Sequence, residues 1–235
     1  MGNLFSSFDP SVSIMGTLLP MNWAAALIPV VLLPQVYWMV GSQVSKTFGM
    51  LMSYLETELS AVFGPLAMPG TFPVFISIFM FVIFSNFMGL CPYVFTSSSH
   101  LSMTLALGLP LWLGSMLWST VFQFNSLMAH LVPSGTPGPL MPLMVVIESV
   151  SNIIRPGTLS IRLAANMVAG HLLLTLLGSQ GPALSSFLLM FLMLALILLL
   201  MLEVGVACIQ AYVFTVLSSL YLNELSSPAF NKTMV

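Results

Sequence analysis

The sequence predicts an all-α integral membrane protein with about five transmembrane helices, one amphipathic surface helix, and its two longest helices at the end. Three observations lead there. Of 235 residues, 58% are hydrophobic and only 4% charged, with a mean hydropathy of +1.07, whereas a soluble domain carries roughly a quarter charged residues. No Asp, Glu, Lys or Arg lies between Glu58 and Glu148, nor between Arg162 and Glu203, and each gap accommodates one or two spans of about 20 residues. Clusters rich in Pro, Gly and Ser interrupt the apolar runs where connections are needed. The chain reads as a single membrane domain over 1–235.

The first span is expected over 18–40. Pro29 and Pro34 fall inside it, which a membrane helix tolerates because neighbouring helices re-satisfy the backbone groups that proline frees. Trp23, Tyr37 and Trp38 near its ends suit an interfacial aromatic belt. Over 44–63, Lys46, Glu56 and Glu58 are interleaved with Phe48, Leu51, Met52, Leu55, Leu59 and Val62. Apolar residues three and four apart predict an amphipathic helix lying on the membrane surface. Spans over 72–90 and 101–128 follow, separated by the loop-like CPYVFTSSSH. After a second break, LVPSGTPGPLMP (131–142), a long helical pattern covers 142–177 with a local interruption at Pro156 and Gly157. GSQGPAL (178–184) reads as a tight turn before a last long helix over 185–222.

Charge asymmetry orients this arrangement. Lys46 and Lys232 fall on one side, and the loops at 91–100 and 178–184 hold no cation. The positive-inside rule therefore predicts an outer N-terminus and a C-terminus in the cytoplasm or matrix. The opening MGNLFSSFDPSVS contains Asp9 and no Lys or Arg. It lacks both the basic start of a secretory signal and the Arg-rich character of a transit peptide, so no cleaved leader is expected. Such a chain suits a bacterial inner membrane or synthesis inside an organelle. A net charge of -2 without a basic stripe argues against nucleic acid. Cys91 and Cys208 sit in distant segments and give neither a metal spacing nor a disulfide framework.

Arg162 is the most informative residue. Its guanidinium cannot shed its charge, yet it lies in SIRLAANMVAGHLLLTLL. An arginine at mid-membrane costs roughly 2.5 to 3.5 kcal/mol on insertion scales, which makes such a residue functional by default. Glu148, Arg155 and Arg162 are seven residues apart, and Asn166 follows one turn later. On a helix this is a polar stripe, which in lipid must face a bundle interior or a watery cavity. A structural reading also exists: Glu148 pairs with Arg155 at a membrane surface while Arg162 snorkels.

Glu203 and Gln210 repeat the seven-residue spacing on the last helix. If the hairpin turns near residue 181, Arg162 and Glu203 reach similar depths, so an intramembrane ion pair is compatible with the spacing. His171, nine residues after Arg162 and nearer the hairpin, is either a packing residue or a proton relay, since its ordinary pKa of about 6.5 suits the latter. With Glu203 it forms a protonatable track on the outer side, and Glu148 forms one on the inner side. A permanent cation between two such tracks blocks a free proton and attracts a passing carboxylate. Other chemistry is sparse. There is no GxxxxGK[ST] loop for phosphate. His100, His130 and His171 are too isolated for a metal cluster. No cofactor and no catalysis by this chain alone are expected.

Four segments carry a resemblance: FDP near the start, SNFMGLCPY (85–93), PSGTPGPLMPLMVVIESVSNIIRPGTLSIRLAANMVAGHLLLTLL (133–177) and LEVGVACIQAYVFTVLSSLYLNE (202–224). They closely resemble the a subunits of F-type ATP synthases, in their mitochondrial form. The resemblance implies a multi-pass protein of the mitochondrial inner membrane whose last two helices are tilted and wrapped against a rotating ring of c subunits. It implies that Arg162, in the RLxAN motif, faces the ring's essential carboxylate, and that Asn166 is the motif's asparagine. His171 and Glu203 look like the pair lining the half-channel open to the intermembrane space. Bacterial members exchange the acid and the histidine, so this order favours a mitochondrial source. Gln210 matches a glutamine close to the arginine, and Glu148 resembles the acid near the matrix-side channel. The implied activity is that of a proton-translocating, non-catalytic stator subunit. Its implied partners are the c ring, other stator subunits and membrane lipid. The 19 methionines fit synthesis within the organelle. Two rivals remain at this level: a self-contained channel or transporter gated by Arg162 and Glu203, and a membrane anchor in which those charges are merely paired.

Overall fold

The computed structural model describes residues 8–14, 17–32, 41–64, 70–122, 124–132 and 137–233. Apart from turns and loops, the described chain is helical with one short antiparallel hairpin, β1 (Val12–Ile14) and β2 (Thr17–Leu19), in which Val12 lies opposite Leu19. Seven α-helices follow: α1 (Ile28–Leu32), α2 (Gln43–Phe63), α3 (Thr71–Leu90), α4 (Leu101–Phe122), α5 (Phe124–His130), α6 (Met141–Ser179) and α7 (Ser186–Thr233). Among the described residues, the α3, α4, α6 and α7 segments are long and apolar enough to cross a membrane, and Met21–Val31 is a shorter apolar helix.

Sequence and structure meet differently in different elements. Of the span expected over 18–40, the 3-10 turn Met21–Leu27 runs into α1, and 33–40 lie outside the described residues. The segment 101–128 is two helices, α4 and α5, with Gln123 outside the described residues. α6 does not break at Pro156: the helix continues through it, as membrane helices do when neighbours supply the missing contacts. α7 likewise runs past 222. Ser42 caps α2 by accepting from the Ser45 amide. Polar and apolar residues then alternate along the helix so that Leu55, Leu59 and Phe63 are buried.

Two apolar clusters hold these elements. One, of Leu59, Phe63 and Phe75 with Phe72, Ile76 and Leu222 around it, fixes α2 against α3 and the far end of α7. Asn223 Nδ2 adds a 2.8 Å hydrogen bond to the Val62 carbonyl, satisfying one of the acceptors a helix C-terminus leaves open. The other, of Val82, Leu159, Leu163, Ala211 and Phe214, joins α3, α6 and α7. α4 closes on α6 through small residues: a Cβ on Gly108 would stand 2.6 Å from Ser160 Oγ. In lipid, small residues of this kind let helices pack by close backbone approach. The second cluster lies beside Arg162 and sets the geometry of the polar residues around it.

Candidate functional site

At 1.5 Å per residue, Arg162 stands about 32 Å from the start of α6 and about 26 Å from its end. It is therefore close to the middle of the helix. The next two residues, Leu163 and Ala164, are buried, which directs Arg162 away from the bundle: its side chain is exposed on the outside of the chain. Among the described residues no carboxylate pairs with it. The ion pair with Glu203 that the spacing allows is not formed.

Glu203 faces the opposite way. It is only 4% exposed, and its carboxyl group lies against the backbone of Gly170 on α6. A Cβ at position 170 would stand 2.6 Å from Glu203 Cδ and 3.1 Å from Cγ, well inside contact distance. Any side chain at 170 would push the end of the Glu203 side chain out of this place. His171 follows immediately, its ring edge-on to Phe8 at a centroid distance of 6.3 Å. So Glu203 and the α6 turn bearing His171 are brought together at the hairpin side of Arg162.

Seven residues further along α7, Gln210 Oε1 accepts a hydrogen bond of 3.0 Å from Asn166 Nδ2. This joins the α6 and α7 polar stripes at the level just past the arginine. Between Glu203 and Gln210 the Ala207 carbonyl accepts from Asn86 Nδ2 of α3 at 3.4 Å. Asn86 Oδ1, His171 Nε2, both Glu203 oxygens and Gln210 Nε2 are buried without a hydrogen-bond partner among the described residues. Each such group costs about 1–3 kcal/mol if left dry, so a run of them is a place for water rather than for packing.

Beyond Arg162 in the other direction the chemistry changes. Arg155 Nη1 donates to Glu224 Oε2 at 2.6 Å, its Nη2 lies 3.9 Å from Glu148 Oε1, and the guanidinium sits 5.1 Å from the centre of the Tyr221 ring. Glu148 and Arg155 do pair, but the shorter contact is to Glu224. These groups are about a third exposed or more. Three residues of this constellation escape sequence reasoning. Asn86 is a lone amide in an apolar run, a signal available in principle. Glu224 lies past the expected helix end, and Gly170 is meaningful only once α7 is laid against it.

The sequence matches the ATP synthase A chain family over residues 14–223. It is 50% identical over 226 residues to ATP synthase subunit a of Drosophila mauritiana, covering 96% of this chain and all of that protein. Against the subunit of Locusta migratoria the figures are 46% over 225 residues, with 96% and 99% covered. Against that of Anopheles gambiae they are 49% over 227 residues, with 96% and 100% covered. A family match over most of the chain, and near-complete relatives at this identity, leave one conclusion. The chain belongs to the ATP synthase A chain family, the non-catalytic, proton-translocating membrane subunits of the rotary ATP synthase, in its mitochondrial form.

Proposed function

We propose that the chain forms two offset half-channels that load and unload protons on a rotating c ring, with Arg162 as the divide. The observation that carries this reading is the opposed placement of the two intramembrane charges. Arg162 is exposed and unpaired among the described residues, while Glu203 is turned inward against Gly170. A guanidinium left facing lipid is costly. Its counter-charge therefore has to come from another chain, and a ring carboxylate passing that face supplies it.

In this mechanism a proton enters from the intermembrane space past His171 and Glu203, in the region where Asn86 and Gln210 also carry unpartnered polar atoms. It neutralises a ring carboxylate, which can then turn through lipid at tolerable cost. Asn166 and Gln210, bonded to each other, hold α6 and α7 in register beside the arginine. After nearly a full turn the carrier reaches the inner side, where Arg162 stabilises the anion and the proton leaves toward the matrix past Glu148. The driving force is about 2.3 kcal/mol per charge per 100 mV, plus the pH gradient, so many steps must be summed for each ATP. The N-terminus lies in the intermembrane space and the C-terminus in the matrix. Lys46 and the exposed Val44, Met50 and Leu51 of α2 suit a helix resting on the membrane surface among lipid headgroups.

The decisive experiment is Arg162→Ala in the assembled complex. It should abolish proton-driven ATP synthesis, and Arg162→Lys should be poor because a lysine can deprotonate when removed from water and lacks the guanidinium fork. Near-normal synthesis by Arg162→Ala would refute the reading.

A further inference from the structure

The loop between α3 and α4 has a construction that the two half-channels do not require. Thr96, Ser97, Ser98 and Ser99 are four consecutive hydroxyl residues, all buried, Ser98 to 1% exposure. A connecting loop normally runs in water, where its polar groups are satisfied at no cost. Thr96 and Ser99 satisfy each other: Thr96 Oγ1 donates to Ser99 Oγ at 3.2 Å, and Ser99 Oγ to the Thr96 carbonyl at 2.7 Å. Ser98 Oγ has no partner among the described residues, and neither does His100 Nε2, which is also buried. Two unpartnered buried atoms, two residues apart in one short loop, suit hydration better than dry packing.

The position of the loop is as telling as its composition. A Cβ on Gly89 of α3 would stand 3.0 Å from Thr96 Cγ2 and 3.2 Å from Met167 Cε. Thr96 is thus seated at the level of Met167 on α6, one helical turn before His171. His100 is held by aromatic rings on two sides, stacked on Phe95 at 5.1 Å and tilted against Trp23 at 5.2 Å. Stacking fixes the plane of the imidazole, whose enclosed Nε2 is left without a partner among the described residues.

We propose that the Thr96–His100 loop is the throat of the outer half-channel, with His100 as its outermost proton-handling group. Water admitted into the loop from the outer side brings a proton to the enclosed His100 Nε2. The imidazole returns a proton through water to Ser98, whose hydroxyl accepts one proton and donates another, and the chain of water continues to His171 and Glu203. No net charge is left on the loop after each transfer. This inference rests on the half-channel reading above and extends it outward by one residue cluster.

The test is made in assembled complex in inner-membrane vesicles, with turnover expressed per complex. His100→Ala and Ser98→Ala should each lower proton-driven ATP synthesis, His100→Ala by roughly tenfold or more, as expected for loss of a proton-transfer group. Imidazole supplied on the outer side should restore His100→Ala, and imidazole on the matrix side should not. A merely structural histidine would show no such sidedness. Should His100→Ala prevent assembly, His100→Gln keeps volume and hydrogen bonding but cannot relay, and Ser98→Cys in a Cys91→Ser background, where the exposed native thiol of the same loop is gone, offers a thiol that silver ions added outside should block. Normal turnover in His100→Gln, no rescue by imidazole, or a silver-insensitive Ser98→Cys overturns the proposal. Glu203→Gln is measured in parallel: if it loses turnover while the loop variants do not, only the throat is wrong, and if it too is normal the half-channels themselves fall.

Discussion

On the hairpin side of Arg162, Glu203 is packed inside the bundle against Gly170 with neither oxygen partnered among the described residues. On the other side Arg155 reaches Glu224 at 2.6 Å, lies near Glu148 and Tyr221, and remains partly exposed. The same two helices thus treat polar groups in opposite ways at their two ends. An ion pair satisfies its members and holds helices together, whereas a buried acid without a partner must exchange protons or water to be tolerable. Under the proposed mechanism the Glu203 region serves transfer, while the Arg155–Glu224 pair serves in large part as an anchor beside the Glu148 exit. The difference also ranks how sensitive each region is to substitution.

After Arg162→Ala, the largest effect is expected from Gly170→Val, which places carbon atoms where the Glu203 carboxyl group sits. Overpacking of this kind costs about 1–3 kcal/mol when the neighbour can move, and here movement would take the acid off the proposed proton path. Proton-driven synthesis per assembled complex should fall by an order of magnitude or more. Gly170→Ala combined with Glu203→Asp, which shortens the acid, should recover part of the loss, a coupling that a double-mutant cycle measures. Additive losses would mean that the contact is incidental. Next in size is Glu203→Gln, which preserves shape and polarity: turnover should drop while assembly stays near normal. Loss of the complex with intact turnover per complex would instead assign Glu203 a structural role.

Much of this contrast is legible in the sequence. The bilayer imposes apolar helices, and charge is so scarce that Arg162, Glu203 and Glu148 declare themselves at once. Periodicity places Asn166 beside Arg162 and Gln210 on the same face as Glu203, because neighbours on one helix follow from its pitch. Pairing across helices does not follow from pitch. Whether Glu203 meets Arg162 depends on the register of α7 along α6 as well as on its rotation, since Glu203 stands against Gly170, about 12 Å along α6 from Arg162, and the seven-residue spacing is the same for any register. Gly170 is silent for a related reason: its message is the absence of a side chain opposite a particular neighbour. The long α6 also contradicts the local signal of Pro156 and Gly157, since tertiary contacts in a bundle override what those residues do alone. The N-terminal hairpin of Val12–Ile14 and Thr17–Leu19 has strands of three residues each, too short to carry a periodic signal.

A smaller effect is expected where the stripes meet. Asn166→Ala removes one hydrogen bond, worth about 0.5–1.5 kcal/mol, and leaves Gln210 Oε1 as a further buried atom without a partner. Synthesis should fall severalfold and the detergent-solubilised complex should lose a little thermal stability. Equal turnover in the variant would show that the bond positions nothing.

The smallest effect is expected at the paired end. Glu224→Gln weakens the Arg155 contact, but the pair is partly exposed, and ion pairs in such settings contribute about 0–1 kcal/mol. Water and Glu148, 3.9 Å from the same guanidinium, stand ready to replace what is lost, and the Tyr221 ring still holds Arg155 from its face. Turnover should therefore stay within about twofold of normal, and the remaining difference should shrink as salt is raised, since screening weakens the native pair most. Arg155→Gln is the sharper variant, because it removes the cation from two carboxylates at once and lets Glu148 turn toward water. If the inner cluster is an anchor, Arg155→Gln lowers thermal stability while proton release continues. If it is instead a second transfer site, turnover falls and stability does not, and the asymmetry between the two ends of α6 and α7 disappears.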